Sequence, residues 1–282
     1  MKWQGRRSSS NVEDRRGIPG KGIIGGGVGV GSVVVFIIYL LLGGDPTAIL
    51  NNSQVQEPGA TSAYVETAKE KELADFSSVV LAETETVWTD LFQKEGSTYA
   101  YPKLVLYTDS VDSACGVSGA AAGPFYCPGD SKVYIDLDFF NELQVRFKAP
   151  GDFAIAYVIA HEVGHHVQNL LGIEEQVMAQ RSEMTESEFN AVLVRMELQA
   201  DYFAGVWAHY AERMNILEKG DLEEALTAAS AVGDDTLQKA ANGYTVPDSF
   251  THGTSEQRSR WFMKGYQSGT ISDGDTFGAN PL

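Results

Sequence analysis

The chain has 282 residues, 43% of them hydrophobic, and a formal net charge of −17; that is apolar material enough for a packed core and not the composition of a disordered chain. The charge is unevenly divided, because residues 1–21 hold six basic side chains against Glu13 and Asp14, a net of +4, which leaves −21 for the remainder. A body that acidic repels nucleic acid and anionic lipid, so neither is expected as the main partner of the large domain.

Behind the basic N-terminus, residues 22–44 (GIIGGGVGVGSVVVFIIYLLLGG) carry no charge and are long enough to cross a hydrocarbon core of about 30 Å as a helix. The sequence therefore predicts one transmembrane helix. The basic residues before it place the N-terminus in the cytoplasm by the positive-inside rule and everything after it outside the cytoplasm, as a single-pass protein of the cell membrane. Gly25-x-x-x-Gly29 and Gly27-x-x-x-Gly31 offer small-residue faces through which two such spans could form a homodimer. Residues 45–61, polar and without periodicity, read as a linker, leaving 62–282 as the folded domain.

Within that domain, apolar positions from Leu73 to Phe92 recur at three- and four-residue steps, which predicts one or two amphipathic helices ending at Gly96. KLVLYTD (103–109) and KVYID (132–136) read as strands, the second as a sheet edge to which an extended substrate could pair. Cys115 and Cys127 bound a Gly- and Ala-rich stretch between them. On the oxidising side of a membrane they read as one disulfide stapling that loop. Asp138 to Lys148 suggests a short helix stopped by Pro150. Asp152 then caps a long apolar helix ended by Gly172. The capping boxes Thr185-x-x-Glu188 and Thr254-x-x-Gln257 open two further helices, a fourth begins at Asp221-x-x-Glu224, and the tail reads as irregular.

The long apolar helix contains His161-Glu162-Val163-Gly164-His165. Residues four apart on a helix are offset by about 40° and rise about 6 Å, so both imidazoles leave one face and can hold one ion. Glu162 sits on the same turn, where a carboxylate could take a proton from a metal-activated water. An open catalytic site needs a third protein ligand, and the next helix supplies two candidates on one face, Glu197 and Asp201. In the simplest division Glu197 is the ligand and Asp201 fixes an imidazole ring; the reverse is also open. A His-His-Glu set most often takes zinc. His252, in the loop before the last helix, could steady an oxyanion, although a capping or surface histidine is the plainer reading. Gly164 and Gly205 would let the two ligand-bearing helices approach closely. His166, 100° from His165, should turn away from the ion.

HEVGHH followed about thirty residues later by ELQAD resembles the zincin metallopeptidases whose third ligand is a glutamate. More closely, GPFYCPGDSKVYIDLDFF, HEVGHHVQ, RMELQADYFAGVWA and HGTSEQRSRWF together resemble the bacterial putative neutral zinc metallopeptidase family, over nearly the whole chain. The resemblance implies a zincin-like α+β fold, mainly helical with a small sheet and here preceded by the membrane helix, and metal-dependent hydrolysis of peptide or protein substrates. The alternative is a non-catalytic, zinc-containing binding or assembly module on the same scaffold at the cell envelope.

Overall fold

Thr67 opens the first helix with a capping box closed by Glu70, and helix α1 (Ala68–Lys94) runs unbroken until Gly96, at φ +73°, turns the chain back. In the computed structural model, which describes residues 1–18, 64–119 and 123–282, α1 packs against a four-stranded sheet. Its order is β1 (Val12–Asp14), β2 (Lys103–Tyr107), β6 (Lys132–Asp136) and β5 (Phe125–Cys127), with β1–β2 and β2–β6 parallel and β5–β6 antiparallel. A separate hairpin joins β3 (Ser110–Ser113) and β4 (Gly116–Gly119). Both faces of β2 are covered. Leu104 and Leu106 enter the main core while Val105 and Tyr107 join Val111, Tyr134 and Cys127 on the other side, as period-two alternation requires. Cys115 and Cys127 are bonded, tying β5 to the β3–β4 turn. KVYID is an interior strand and not the expected edge; among the described residues the edges are β1 and β5, the latter at the end of the segment between the cysteines that had read as a plain loop.

Helices α2 (Asp138–Val145), α3 (Asp152–Leu170), α4 (Ile173–Ala179), α5 (Glu186–Arg213), α6 (Asp221–Ala231), α7 (Asp234–Asn242) and α8 (Ser255–Ser268) complete the domain. Helix α3 runs through the middle. Phe153, Tyr157, Ile159, Val163 and Val167 are all buried on a helix that meets the sheet, α1, α5 and α6, and Tyr157 also meets Phe262 of α8 edge-on. Aromatic pairs lock these layers: Trp88 of α1 meets Phe203 of α5 edge-on at 5.6 Å, and Phe153 stacks on Trp207 at 5.6 Å, geometries that ring quadrupoles favour.

The two glycines expected to bring the ligand helices together divide that task. A Cβ on Gly164 would lie 2.9 Å from the Ala200 carbonyl oxygen of α5, so Gly164 does set the α3–α5 approach. Gly205 instead faces α8, where an added Cβ would lie 2.0 Å from the Phe262 oxygen, and a Cβ added to Gly265 of α8 would lie 1.9 Å from the Tyr202 oxygen. Gly205→Ala should therefore cost at least about 3 kcal/mol through overpacking against backbone, despite a gain of about 1 kcal/mol in helix propensity. Thermal unfolding measures it, and an unchanged melting temperature would refute this account of the α5–α8 contact.

The single-pass arrangement does not survive. The expected span at 22–44 and the linker at 45–61, with the glycine faces for a homodimer, lie outside the described residues, and among the described residues no helix is long and apolar enough to cross a membrane. Residues 1–18, expected across a bilayer from the domain, are built into it. Val12, Glu13 and Asp14 pair with Leu104, Val105 and Leu106, Met1 is buried in the main core, and Trp3 packs edge-on against Phe76 at 5.5 Å. Two of the basic residues that read as a topology signal neutralise buried acidic groups of the domain. Arg6 chelates Glu83 at 2.7 and 3.2 Å, and Arg7 reaches Glu85 at 2.9 Å. Nor are the expected caps at Asp152 and Asp221 realised: the N-caps are Gly151 and Gly220, without side-chain capping. Asp152 accepts the Met1 ammonium at 2.6 Å, and Asp221 lies 3.5 Å from it.

Candidate metal centre

Helix α3 carries His161, Glu162 and His165 on two successive turns, and α5 crosses it closely enough, at Gly164 and Ala200, to aim Glu197 between the imidazoles. Glu197 Oε2 lies 3.3 Å from His161 Nε2 and 3.5 Å from His165 Nε2. The three ligand atoms lie within 4.8 Å of one another. Asp201 is one turn further along α5 and does not join this cluster. It accepts from His161 Nδ1 at 2.8 Å, while His165 Nδ1 donates to Gln168 Oε1 at 2.9 Å. With each Nδ1 carrying its proton, both Nε2 lone pairs converge on a carboxylate oxygen, a repulsive arrangement unless positive charge sits at the centre. A tetrahedral ion bound at about 2.0–2.1 Å holds its ligand atoms about 3.4 Å apart, and both distances from Glu197 Oε2 to the imidazoles match that spacing.

Electrostatics give the same answer. Burial lowers the pKa of both imidazoles, but Asp201 and Glu197 outweigh it for His161, and Glu197 pushes His165 up to about 10. Burial acts against ionising Glu197, and the facing histidines hold it well below the usual carboxylate range all the same. The cluster is built to hold cationic charge. Glu162, almost fully buried beside it, has its pKa raised by desolvation, opposed by the two histidines; a carboxylate so placed is a stronger base than one in water.

Each imidazole is braced differently. Asp201, with no exposed surface, accepts from Tyr157 Oη at 2.5 Å and from Arg258 Nε and Nη2 at 2.9 and 3.1 Å. Burial favours its neutral form, but Arg258 and His161 hold its pKa down to about 2. Gln168 is fixed by donating to Met196 O and Gln199 Oε1, and Gln199 donates to Gly274 O, so the irregular tail buttresses the second ligand. His166 turns away, bonding Ala100 O at 2.6 Å and the Tyr126 hydroxyl at 3.0 Å, which ties edge strand β5 to the metal helix.

His252, in the loop before α8, is buried within electrostatic reach of Glu197. Burial lowers its pKa, but Asp234 and the charge of nearby Glu197 raise it above the ordinary value. Asp234 contacts His252 Nδ1 at 3.2 Å with one oxygen and with the other accepts the backbone N–H groups of Thr251, His252 and Gly253. Sequence reading missed Asp234, Tyr157, Gln168 and Arg258. Tyr157 and Gln168 left a signal, standing four residues before His161 and three after His165 on the same helical face.

Sequence comparisons place the chain among relatives without an assigned activity. It is 49% identical over 286 residues to the uncharacterized protein YpfJ of Escherichia coli K12, covering 99% of both chains. It is 36% identical over 261 residues to the uncharacterized protein Rv2575 of Mycobacterium tuberculosis H37Rv, covering 86% of each. No solved structure matches. The model of the family described as putative neutral zinc metallopeptidase matches residues 1–277, a family whose name implies the metal that the His161, His165 and Glu197 cluster fits. With its model spanning almost the entire sequence, the chain belongs to that family.

Proposed function

We propose that the protein is a zinc-dependent peptidase that hydrolyses internal bonds of peptide or protein substrates. The observation that carries this reading is the convergence of two Nε2 lone pairs and one carboxylate oxygen at 3.3 and 3.5 Å, with a buried carboxylate beside them. His161, His165 and Glu197 would hold the ion, which when bound polarises the scissile carbonyl and acidifies water. Glu162 accepts the proton of the attacking water and delivers it to the departing amine. His252, oriented by Asp234, places an N–H where negative charge develops on the carbonyl oxygen. Strand β5, an edge of the sheet among the described residues and joined to α3 through Tyr126 and His166, is where an extended substrate would pair.

The test is elemental analysis of the purified chain combined with cleavage of a peptide library. One zinc per chain, with cleavage lost to a chelator and restored by zinc, supports the reading. Protein that takes up no metal, or that holds zinc and cleaves nothing, removes it, the second result leaving a non-catalytic module. His252→Ala should lower kcat about 100- to 1,000-fold, the usual effect of removing one oxyanion donor, with KM nearly unchanged. A kcat within threefold of wild type would take His252 out of the chemistry.

A further inference from the structure

We infer that Arg258 is a positioning residue that sets His161 and His252 relative to each other, an inference that rests on the peptidase reading above. Its guanidinium is buried on α8 and bonds in two directions. Nε and Nη2 form a fork on Asp201, the carboxylate that orients His161, and Nη2 also donates to Tyr157 Oη at 3.2 Å. Nη1 donates to Val232 O at 3.2 Å, in the turn between α6 and α7. Two residues later that turn supplies Asp234, the carboxylate that orients His252. One rigid, planar group thus spans the supports of both histidines.

The position of that group is itself fixed. Helix α8 is seated on α5 by the Gly205–Gly265 contact, where backbones approach too closely for any side chain, and Trp261 and Phe262 of the same helix are buried against Tyr202 and Tyr157. The helix fixes where the side chain starts, and the bonds to Asp201, Tyr157 and Val232 fix where the guanidinium ends. Neutralising Asp201 would need only a cation. Reaching Asp201, Tyr157 and Val232 together needs the guanidinium fork, which an ammonium cannot reproduce. The same argument separates positioning from mere ion pairing in the laboratory, because lysine restores the charge without the geometry.

Full-length Arg258→Lys and Tyr157→Phe should be compared with wild type for zinc affinity, by competition with a chromophoric chelator, and for kcat and KM at saturating zinc. Expected for Arg258→Lys are zinc affinity weakened about 10- to 100-fold, the usual effect of losing an outer support of a metal ligand, and a lowered kcat with KM within about twofold. Tyr157→Phe, which deletes one oxygen, should weaken zinc binding in the same direction by less, and the double variant should lose less than the sum of the two because the groups share one network. Folded Arg258→Lys with wild-type zinc affinity and kcat overturns the inference. Should that variant not fold, wild-type zinc affinity in Tyr157→Phe overturns it instead. Wild-type protein that takes no zinc removes the peptidase reading and this inference together. A zinc-binding wild type whose variants bind equally well removes this inference alone.

Discussion

Glu162→Gln should abolish peptide cleavage, by about 100- to 10,000-fold in kcat, while zinc stays bound. Glutamine keeps the shape of the side chain but cannot accept the proton that the attacking water must lose, and a positioned general base contributes about that factor. The three ligand atoms are untouched by the change, since Glu162 belongs to the same turn of α3 but not to the cluster of His161, His165 and Glu197. Zinc content should remain one per chain and the melting temperature should hold or rise, because the buried carboxylate pays a desolvation penalty that the amide escapes. Metal analysis and steady-state kinetics on the same preparation check both halves. Cleavage at the wild-type rate would remove Glu162 from the reaction, and loss of zinc along with activity would mean that it supports the ion instead.

How much of this was legible depended on the range of the forces involved. Local signals were strong. The capping boxes at Thr185 and Thr254 begin helices in the structure because the reciprocal bonds that define them lie within four residues. His161 and His165 could be paired on paper because helical geometry alone sets their separation. Glu197 and Asp201 shared a face, but only the crossing of α3 and α5 decides which of them meets the Nε2 atoms. Asp234 and Arg258 act across 18 and 57 residues, on His252 and Asp201 respectively, and nothing in periodicity announces a partner that distant. Asp152 and Asp221 look like helix caps by position, yet the positive-φ glycines before them serve as N-caps and leave both carboxylates to the Met1 ammonium. The largest error came from the N-terminus. Six basic residues before an apolar run satisfy a topology rule, yet Arg6 and Arg7 neutralise acidic groups more than 70 residues away on α1, and Arg15 and Arg16 pair with Glu13 and Asp14 of their own segment.

A fragment beginning at residue 64, which lacks residues 1–18, should consequently lose most of the fold's stability and be unable to hold zinc. Glu83 and Glu85 are almost fully buried on α1, and the deletion strips Arg6 from the first and Arg7, Ser9 and Asn11 from the second. Leaving a buried carboxylate without its partner costs about 3–5 kcal/mol; half-exposed Arg7 puts its pair at the lower end, but two such losses rival the 5–15 kcal/mol of a typical domain. Strand β1 goes too, exposing the parallel edge of β2. Acid should act in the same direction more gently. Burial raises the pKa of Glu13, but hydrogen bonds from Lys132, Arg15 and Lys103 outweigh this and bring it down to about 2 from 4.5. Its contribution is thus present above pH 4.5 and fades as pH falls toward 2. Hydrogen exchange at Val12–Asp14 should quicken over that range before the helices open. Denaturant unfolding of the fragment, alone and with a peptide of residues 1–18 added, measures the main effect. A fragment as stable as the full chain would mean that this segment rests on the domain without supporting it.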